Sequence, residues 1–257
     1  MRRSLVLPFF VVISFLDRFV PGVLEGVMRS AGTFAYKPAR VAIRAVLATL
    51  LLALCGLPAP VQAARAPFRT VVIDAGHGGH DRGGIPGQRV AEKEVALDVA
   101  KRLETILRER GFRTVMTRRS DVFLSLGHRV AIANSQKDAI FVSVHFNSAK
   151  RAGASGVETY YYTSNSAGLA ARIHREMARP VSTEDRGLRR RGFYVVRRTL
   201  VPSVLVECGF LTNPREAQLA RKASYRQDLA ERIARGIIAH YNATGGRPIG
   251  GGISAAR

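Results

Sequence analysis

Apolar and β-branched runs bounded by turn residues predict strands over 69–74, 113–117, 139–145, 156–162, 193–197 and 203–208. Between the first two, Val95, Val99, Leu103, Ile106 and Leu107 recur on one helical face, and Gly111 ends that helix before Phe112 opens the next strand. Shorter helical patterns cover 126–135, 166–179 and 215–221, and a last amphipathic one covers 225–241. A strand, a helix and a second strand in this order form a βαβ unit, whose crossover is right-handed and whose strands are parallel. The expected fold class is therefore α/β, a single three-layer domain with a mostly parallel twisted sheet flanked by helices. No internal repeat is visible, and residues 242–257, with Gly245-Gly246 and Gly250-Gly-Gly252, read as a flexible tail.

The chain has 257 residues, enough to bury a substantial core. Its first 63 residues follow another pattern. Arg40 and Arg44 precede the apolar run from Ala45 to Leu57, and Pro58, Pro60 and Val61-Gln-Ala63 follow, which is the layout of a secretory signal cut after Ala63. That run falls short of the roughly 20 apolar residues of a membrane span. A second apolar stretch, Leu5 to Leu16, does not fit an exported chain with one signal, whereas a start at Met28 does. The expected organisation is an export region over 1–63, with 1–27 an over-extended start or a weak extra anchor and 28–63 the signal, then a folded domain over 64–241 and the tail. Cys55 lies in the apolar part of the signal, behind a bulky Leu54 that suits lipidation poorly, and reads as filler. Once the signal is removed only Cys208 remains, so no internal disulfide is expected and the fold rests on its core.

Forty Lys and Arg stand against 19 Asp and Glu, a net charge of +21. Removing the 7 basic and 2 acidic residues of the first 63 leaves 33 against 17, or +16. Such an excess attracts polyanions. For an exported chain the anionic polymers of the envelope are the expected partners; Arg189-Arg-Arg191 and Arg197-Arg198 lack the interleaved aromatics of single-strand binders, and no nucleic acid is expected.

Three predicted strands run straight into metal-competent or acidic residues: Val71-Val-Ile-Asp-Ala-Gly-His77, Ile140-Phe-Val-Ser-Val-His145 and Val204-Leu-Val-Glu207. In an open α/β sheet, chemistry gathers beyond the carboxyl ends of the strands. His77 sits in Gly76-His-Gly-Gly79, whose glycines allow a tight turn, but the stretch lacks the Lys-Ser/Thr of a phosphate loop. At the start of the first crossover helix, Glu92 and Glu94 both lie near the same edge, and either could face His77. Glu207 ends a buried strand, where an unpaired charge is costly, so it needs either an ion-pair partner or a chemical role. Two imidazoles and a carboxylate are the donor set of a catalytic zinc site, which leaves a fourth position for water. Zinc lowers the pKa of such a water toward about 7, and a carboxylate outside the ligand set can carry its proton to a leaving amine. These parts suit metal-assisted amide hydrolysis.

Ile73-Asp-Ala-Gly-His-Gly-Gly79, Glu92-Lys-Glu-Val-Ala-Leu97, Thr117-Arg118 with Asp121, Arg129 with Ala133-Asn134, Ser143-Val-His-Phe-Asn147, Gly156-Val-Glu-Thr-Tyr160, Asp185-Arg-Gly187 and Pro202-Ser-Val-Leu-Val-Glu-Cys-Gly-Phe-Leu-Thr-Asn213 occur in this order. Together they resemble the zinc-dependent N-acetylmuramoyl-L-alanine amidases of bacterial cell walls, over about residues 69–241. The resemblance implies His77, Glu92 and His145 as zinc ligands, which selects Glu92 over Glu94, and Glu207 as the catalytic acid/base. The implied reaction is hydrolysis of the amide joining N-acetylmuramic acid to the L-alanine of the stem peptide, with zinc-bound water as nucleophile, in the periplasm or outside the cell. Asn147 and Arg186, close to these motifs, are candidates for substrate contact.

Division-associated relatives carry an extra helix after the Gly-Val-Glu-Thr-Tyr strand that plugs the site until a partner removes it. Here Tyr160-Tyr-Tyr162 passes within a few residues to Ala167-Gly-Leu-Ala170, so an open site is expected. Of the other histidines, His80 is expected to line the cleft, His128 and His174 to sit in helices, and His240 to end the last helix with a partly positive ring. Cys208 reads as a small buried filler. The rival readings are a zinc peptidase cutting within the stem peptide and a noncatalytic basic protein that binds the envelope.

Overall fold

A computed structural model describes residues 68–151, 153–179 and 183–246. The expected export region and residues 247–257 of the expected tail lie outside the described residues. Six strands, β1 Thr70–Ala75, β2 Arg113–Met116, β3 Ala139–Asn147, β4 Val157–Tyr161, β5 Asp185–Arg190 and β6 Ser203–Phe210, form one sheet in the order β2-β1-β3-β6-β4-β5. Four of its five pairings are parallel; only β4 runs against its neighbour β6. The helices are α1 Glu92–Glu109, α2 Leu126–Asn134, α3 Ser164–Met177, α4 Tyr194–Arg198, α5 Pro214–Arg221 and α6 Ala223–Ala243.

Alternation along the central strands divides the interior into two layers. Val71 and Ile73 of β1, Ile140, Val142 and Val144 of β3, and Val204 and Val206 of β6 share one cluster with Val99 and Leu103 of α1, Leu169 and Ile173 of α3 and Ile233 and Ile237 of α6. Val72, Phe141 and Leu205 face the other way, onto Val130 of α2 and Val195 and Val196 of α4. The expected three-layer sandwich is the observed one. Cys208 belongs to the first cluster and is fully buried, with burial pushing its thiol well up, so it is inert filler as expected.

Several sequence expectations are corrected. Residues 193–197 are not a strand: Tyr194–Arg198 is one helical turn. Val195 and Val196 are adjacent and both buried, and a strand would send them to opposite faces, whereas a turn of helix lets both lean on the sheet. The sixth strand is instead Asp185–Arg190, whose polar sequence hides it: as an edge strand it joins through backbone pairing to β4 and contributes only Leu188 to the core. His240 also departs from expectation. Its ring is buried against Phe68 at 5.9 Å, and burial, with the nearby charge of Arg172 added, lowers its pKa to about 4, so it is neutral rather than partly positive. The last helix runs two residues beyond 241, to Ala243. Among the described residues no helix is long and apolar enough to cross a membrane.

Candidate active site

The parallel strands β1, β3 and β6 end at one edge, and each delivers a residue there. In register, His145 of β3 stands opposite Glu207 of β6, and both project from the face that carries Phe141 and Leu205. The turn after β1 delivers His77, held at φ 60, a left-handed conformation rare for a residue with a side chain. Two buried arginines hold that turn. Arg129 donates to the carbonyls of Ala75 (2.6 Å) and His77 (2.6 Å), and Arg118 to those of Ala75 (3.0 Å), Gly76 (2.7 Å) and Lys93 (2.8 Å). Lys93 and Asp121 close it from outside: Lys93 Nζ donates to the Gly79 carbonyl, and Asp121 accepts from the Gly79 N–H at 2.8 Å.

Arg129 is itself fixed by Asp74, a completely buried carboxylate at the end of β1 that also accepts from Thr117 (2.7 Å) and Ser143 (2.6 Å). Burial opposes the charge on Asp74, but Arg129 and the two hydroxyls outweigh it and hold the carboxyl below its ordinary range. Sequence reasoning missed this network, since Arg129 lies 55 residues from Asp74 and nothing local links them.

Glu92, the first residue of α1, is buried and aimed at both imidazoles, whereas Glu94 is exposed. Glu92 Oε1 meets His145 Nδ1 at 2.8 Å and also accepts from the Phe146 N–H at 3.0 Å, and Oε2 meets His77 Nε2 at 3.1 Å. The two rings lie 4.9 Å apart and nearly perpendicular. One ligand atom from each of His77, Glu92 and His145 falls within 4.8 Å of the others. Burial works against ionisation of Glu92, yet hydrogen bonds and charge from His145 and His77 bring its pKa to about 2. The second nitrogen of His77 meets Asp81 Oδ2 at 2.8 Å, a contact that orients the ring and leaves Nε2 toward the centre. Burial pulls the His77 pKa down, and Glu92 with Asp81 more than reverses this. Asp81 was absent from the sequence reading, although its place four residues after His77 is a signal that could have found it. Glycine is required beside this cluster: a Cβ on Gly76 would lie 2.4 Å from His145 Cε1.

Among the described residues Glu207 has no cation for a partner. Its Oε2 is buried without a hydrogen bond, so the ion-pair alternative does not hold. Burial first, then the charges of Glu92 and Glu158, push its pKa well above the ordinary carboxylate range. Asn147 and Arg186, the candidates for substrate contact, point instead to Glu158: Asn147 Nδ2 donates to its Oε2 at 2.8 Å and Arg186 Nε to its Oε1 at 3.0 Å, with the Tyr160 hydroxyl a third donor at 2.5 Å. Among the other histidines, His80 is exposed and stacks on Phe123 at 4.2 Å beside the cleft. His128 is exposed on α2, and His174 is buried on α3 between Thr159 and Asp185.

A cavity of about 310 Å³ opens beside His77 and His145, walled by Phe123, Leu126, Phe193 and Tyr194. An open α/β sheet edge carrying two imidazoles, an ionised carboxylate and a protonation-prone glutamate beside a ligand-sized cavity defines a hydrolase with a metal-competent His-Glu-His centre. The sequence matches the N-acetylmuramoyl-L-alanine amidase family (Amidase_3) over residues 71–239, and the chain belongs to that family. It is 40% identical over 200 residues to the uncharacterized protein YqiI of Bacillus subtilis, covering 74% of this chain and 96% of that one. It is also 40% identical over 176 residues to the N-acetylmuramoyl-L-alanine amidase LytC of B. subtilis, covering 67% of this chain but only 35% of LytC. Among solved structures, the catalytic domain of CwlV, an N-acetylmuramoyl-L-alanine amidase from Bacillus (Paenibacillus) polymyxa var. colistinus, superposes with a TM-score of 0.65 at 37% identity, over 68% of this chain and 98% of that domain.

Proposed function

We propose that this protein hydrolyses the amide between N-acetylmuramic acid and L-alanine in peptidoglycan, with His77, Glu92 and His145 holding a zinc ion and Glu207 moving the proton. The observation that carries the reading is the convergence of those three donors within 4.8 Å at the strand edge where Glu207 stands in register with His145. The donor set fits zinc: two ring nitrogens and one carboxylate oxygen are one of the three-ligand sets of catalytic zinc sites. Zinc bound there would polarise the scissile carbonyl and lower the pKa of a water toward about 7.

The chain's own residues do the rest. Asp81 fixes the His77 ring, and the Arg118 and Arg129 clamps hold its turn in the left-handed conformation. Glu207 takes the proton of the attacking water and returns it to the leaving amine nitrogen, and burial with the charges of Glu92 and Glu158 raises its proton affinity for that role. Since β4 ends at Tyr161 and α3 begins at Ser164, only Tyr162 and Thr163 join them, which leaves no length for a plugging helix. Among the described residues no helix plugs the site from that link, and the purified protein should be active without an activator. The export pattern of the first 63 residues supports a location with the substrate outside the cytoplasm, where the chain's excess of basic residues would draw it to anionic envelope polymers.

Peptidoglycan digestion by wild-type, chelator-treated and Glu207→Ala protein tests this, with muropeptides read by mass spectrometry. Wild type should release peptide-free glycan and stem peptides with free L-alanine amino termini, and the variant should keep zinc while losing about 10²–10⁴-fold in rate. Cleavage between stem-peptide residues, or a Glu207→Ala rate equal to wild type, would refute it.

A further inference from the structure

A second and larger cavity, about 630 Å³, lies on the α5 side of the edge, and its walls carry three cations and no carboxylate: Arg89 from the loop before α1, Lys150 from the segment after β3, and Arg221 at the end of α5. All three are exposed, and among the described residues none of them is in an ion pair. Its volume is that of a ligand pocket. Its frame is held in advance: Ser148 Oγ donates to Gln88 Oε1 at 2.5 Å, and the Ala149 N–H donates to Thr212 Oγ1 at 3.1 Å.

This cavity adjoins the His77 site. The segment from Ile85 to Val90 walls both it and a neighbouring space of about 430 Å³ that reaches His77 and Asp81. On the far side of His77 and His145 the cleft wall is apolar, with Phe123, Leu126, Phe193 and Tyr194. The two sides of the scissile amide differ in the same way, since the stem peptide carries free carboxylates and the sugar carries none once its lactyl group is in amide linkage.

We propose that the cavity bounded by Arg89, Lys150 and Arg221 binds the acidic stem peptide on the leaving-group side of the amide, so that these three cations set the preference for stem peptides with free over amidated carboxylates. The proposal rests on the amidase reading. For a long anionic wall polymer the exposed Arg189, Arg190, Arg197 and Arg198 offer a separate basic surface outside the cavity.

The test has two arms. In the first, the Glu207→Gln protein is titrated with the tripeptide L-alanyl-γ-D-glutamyl-meso-diaminopimelate and with its carboxylate-amidated form. Arg89→Gln, Lys150→Gln and Arg221→Gln together should weaken the acidic tripeptide about tenfold and leave the amidated one unchanged, as three exposed charge contacts would. The swaps Arg89→Lys, Lys150→Arg and Arg221→Lys should retain binding. In the second arm, with Glu207 intact, the triple variant should raise KM for an N-acetylmuramoyl-tripeptide about tenfold and change kcat by less than twofold. Equal loss for both tripeptides, or no loss, overturns the proposal. Inorganic polyphosphate binding that vanishes in the triple variant while tripeptide binding stays would also overturn it, in favour of a wall polymer. If the protein with Glu207 intact cleaves no N-acetylmuramoyl-peptide, the amidase reading fails, and the first arm still decides what the cavity binds.

Discussion

Glu158 and Glu207 stand opposite each other across the antiparallel β4–β6 pair, and only Glu158 is furnished with hydrogen-bond donors. Asn147, Tyr160 and Arg186 are arranged to keep one carboxylate fixed, and its charge acts on the other.

The pH dependence follows from that pair. A base must be ionised to work, so activity should fall as pH drops through a Glu207 pKa lying above the ordinary carboxylate range. Glu158→Gln removes one of the groups that raise it, and the acid limb of the kcat/KM profile should move to lower pH. A bound metal adds its own field to both proteins, so the difference between their profiles isolates Glu158.

Stability should run against activity at Glu207. Its folded pKa is raised above the unfolded value, so the folded form binds the extra proton, and the stability it contributes is present at low pH and lost as pH rises through the folded pKa. At neutral pH and above, Glu207→Gln should therefore raise the Tm while it abolishes turnover. Thermal denaturation from pH 4 to 8 checks this: the gain should shrink toward pH 4.

Arg129 joins the core to the site. Arg129→Leu leaves Asp74 charged and fully buried and releases the His77 carbonyl, and should cost about 3–5 kcal/mol in urea denaturation. Adding Asp74→Asn should recover part of that loss without restoring activity, because the clamp on the turn stays absent.

Gly76→Ala would place a methyl group 2.4 Å from His145 Cε1. The ring must move, so zinc affinity, measured by competition with a chromophoric chelator, should fall at least about tenfold, in the range found when groups that orient metal ligands are removed. Far-ultraviolet circular dichroism should be unchanged.

Much of this arrangement was legible in the sequence where burial and chemistry coincide on one strand. β1, β3 and β6 read as apolar runs with His77, His145 and Glu207 at their ends, and the sheet gathers them because parallel strands finish together. Glu92 and Glu94 could not be separated by spacing alone, and the buried face of α1 separates them. Less legible were features made by distant partners or by backbone. β5 is polar and exists through its pairing with β4, the Val195-Val196 pair imitates a strand, and Asp74 reads as an ordinary polar position until Arg129 arrives from α2. For Asn147 and Arg186, sequence proximity could not show that both turn toward Glu158.

The reversal of β4 means that the chain leaving β3 and the chain entering β4 meet at the same rim, above the imidazoles, instead of passing beneath the sheet. Insertions between Ser148 and Gly156 can thus redecorate the mouth of the cleft while its floor keeps its shape, giving one scaffold a ready means of matching cell walls of different composition.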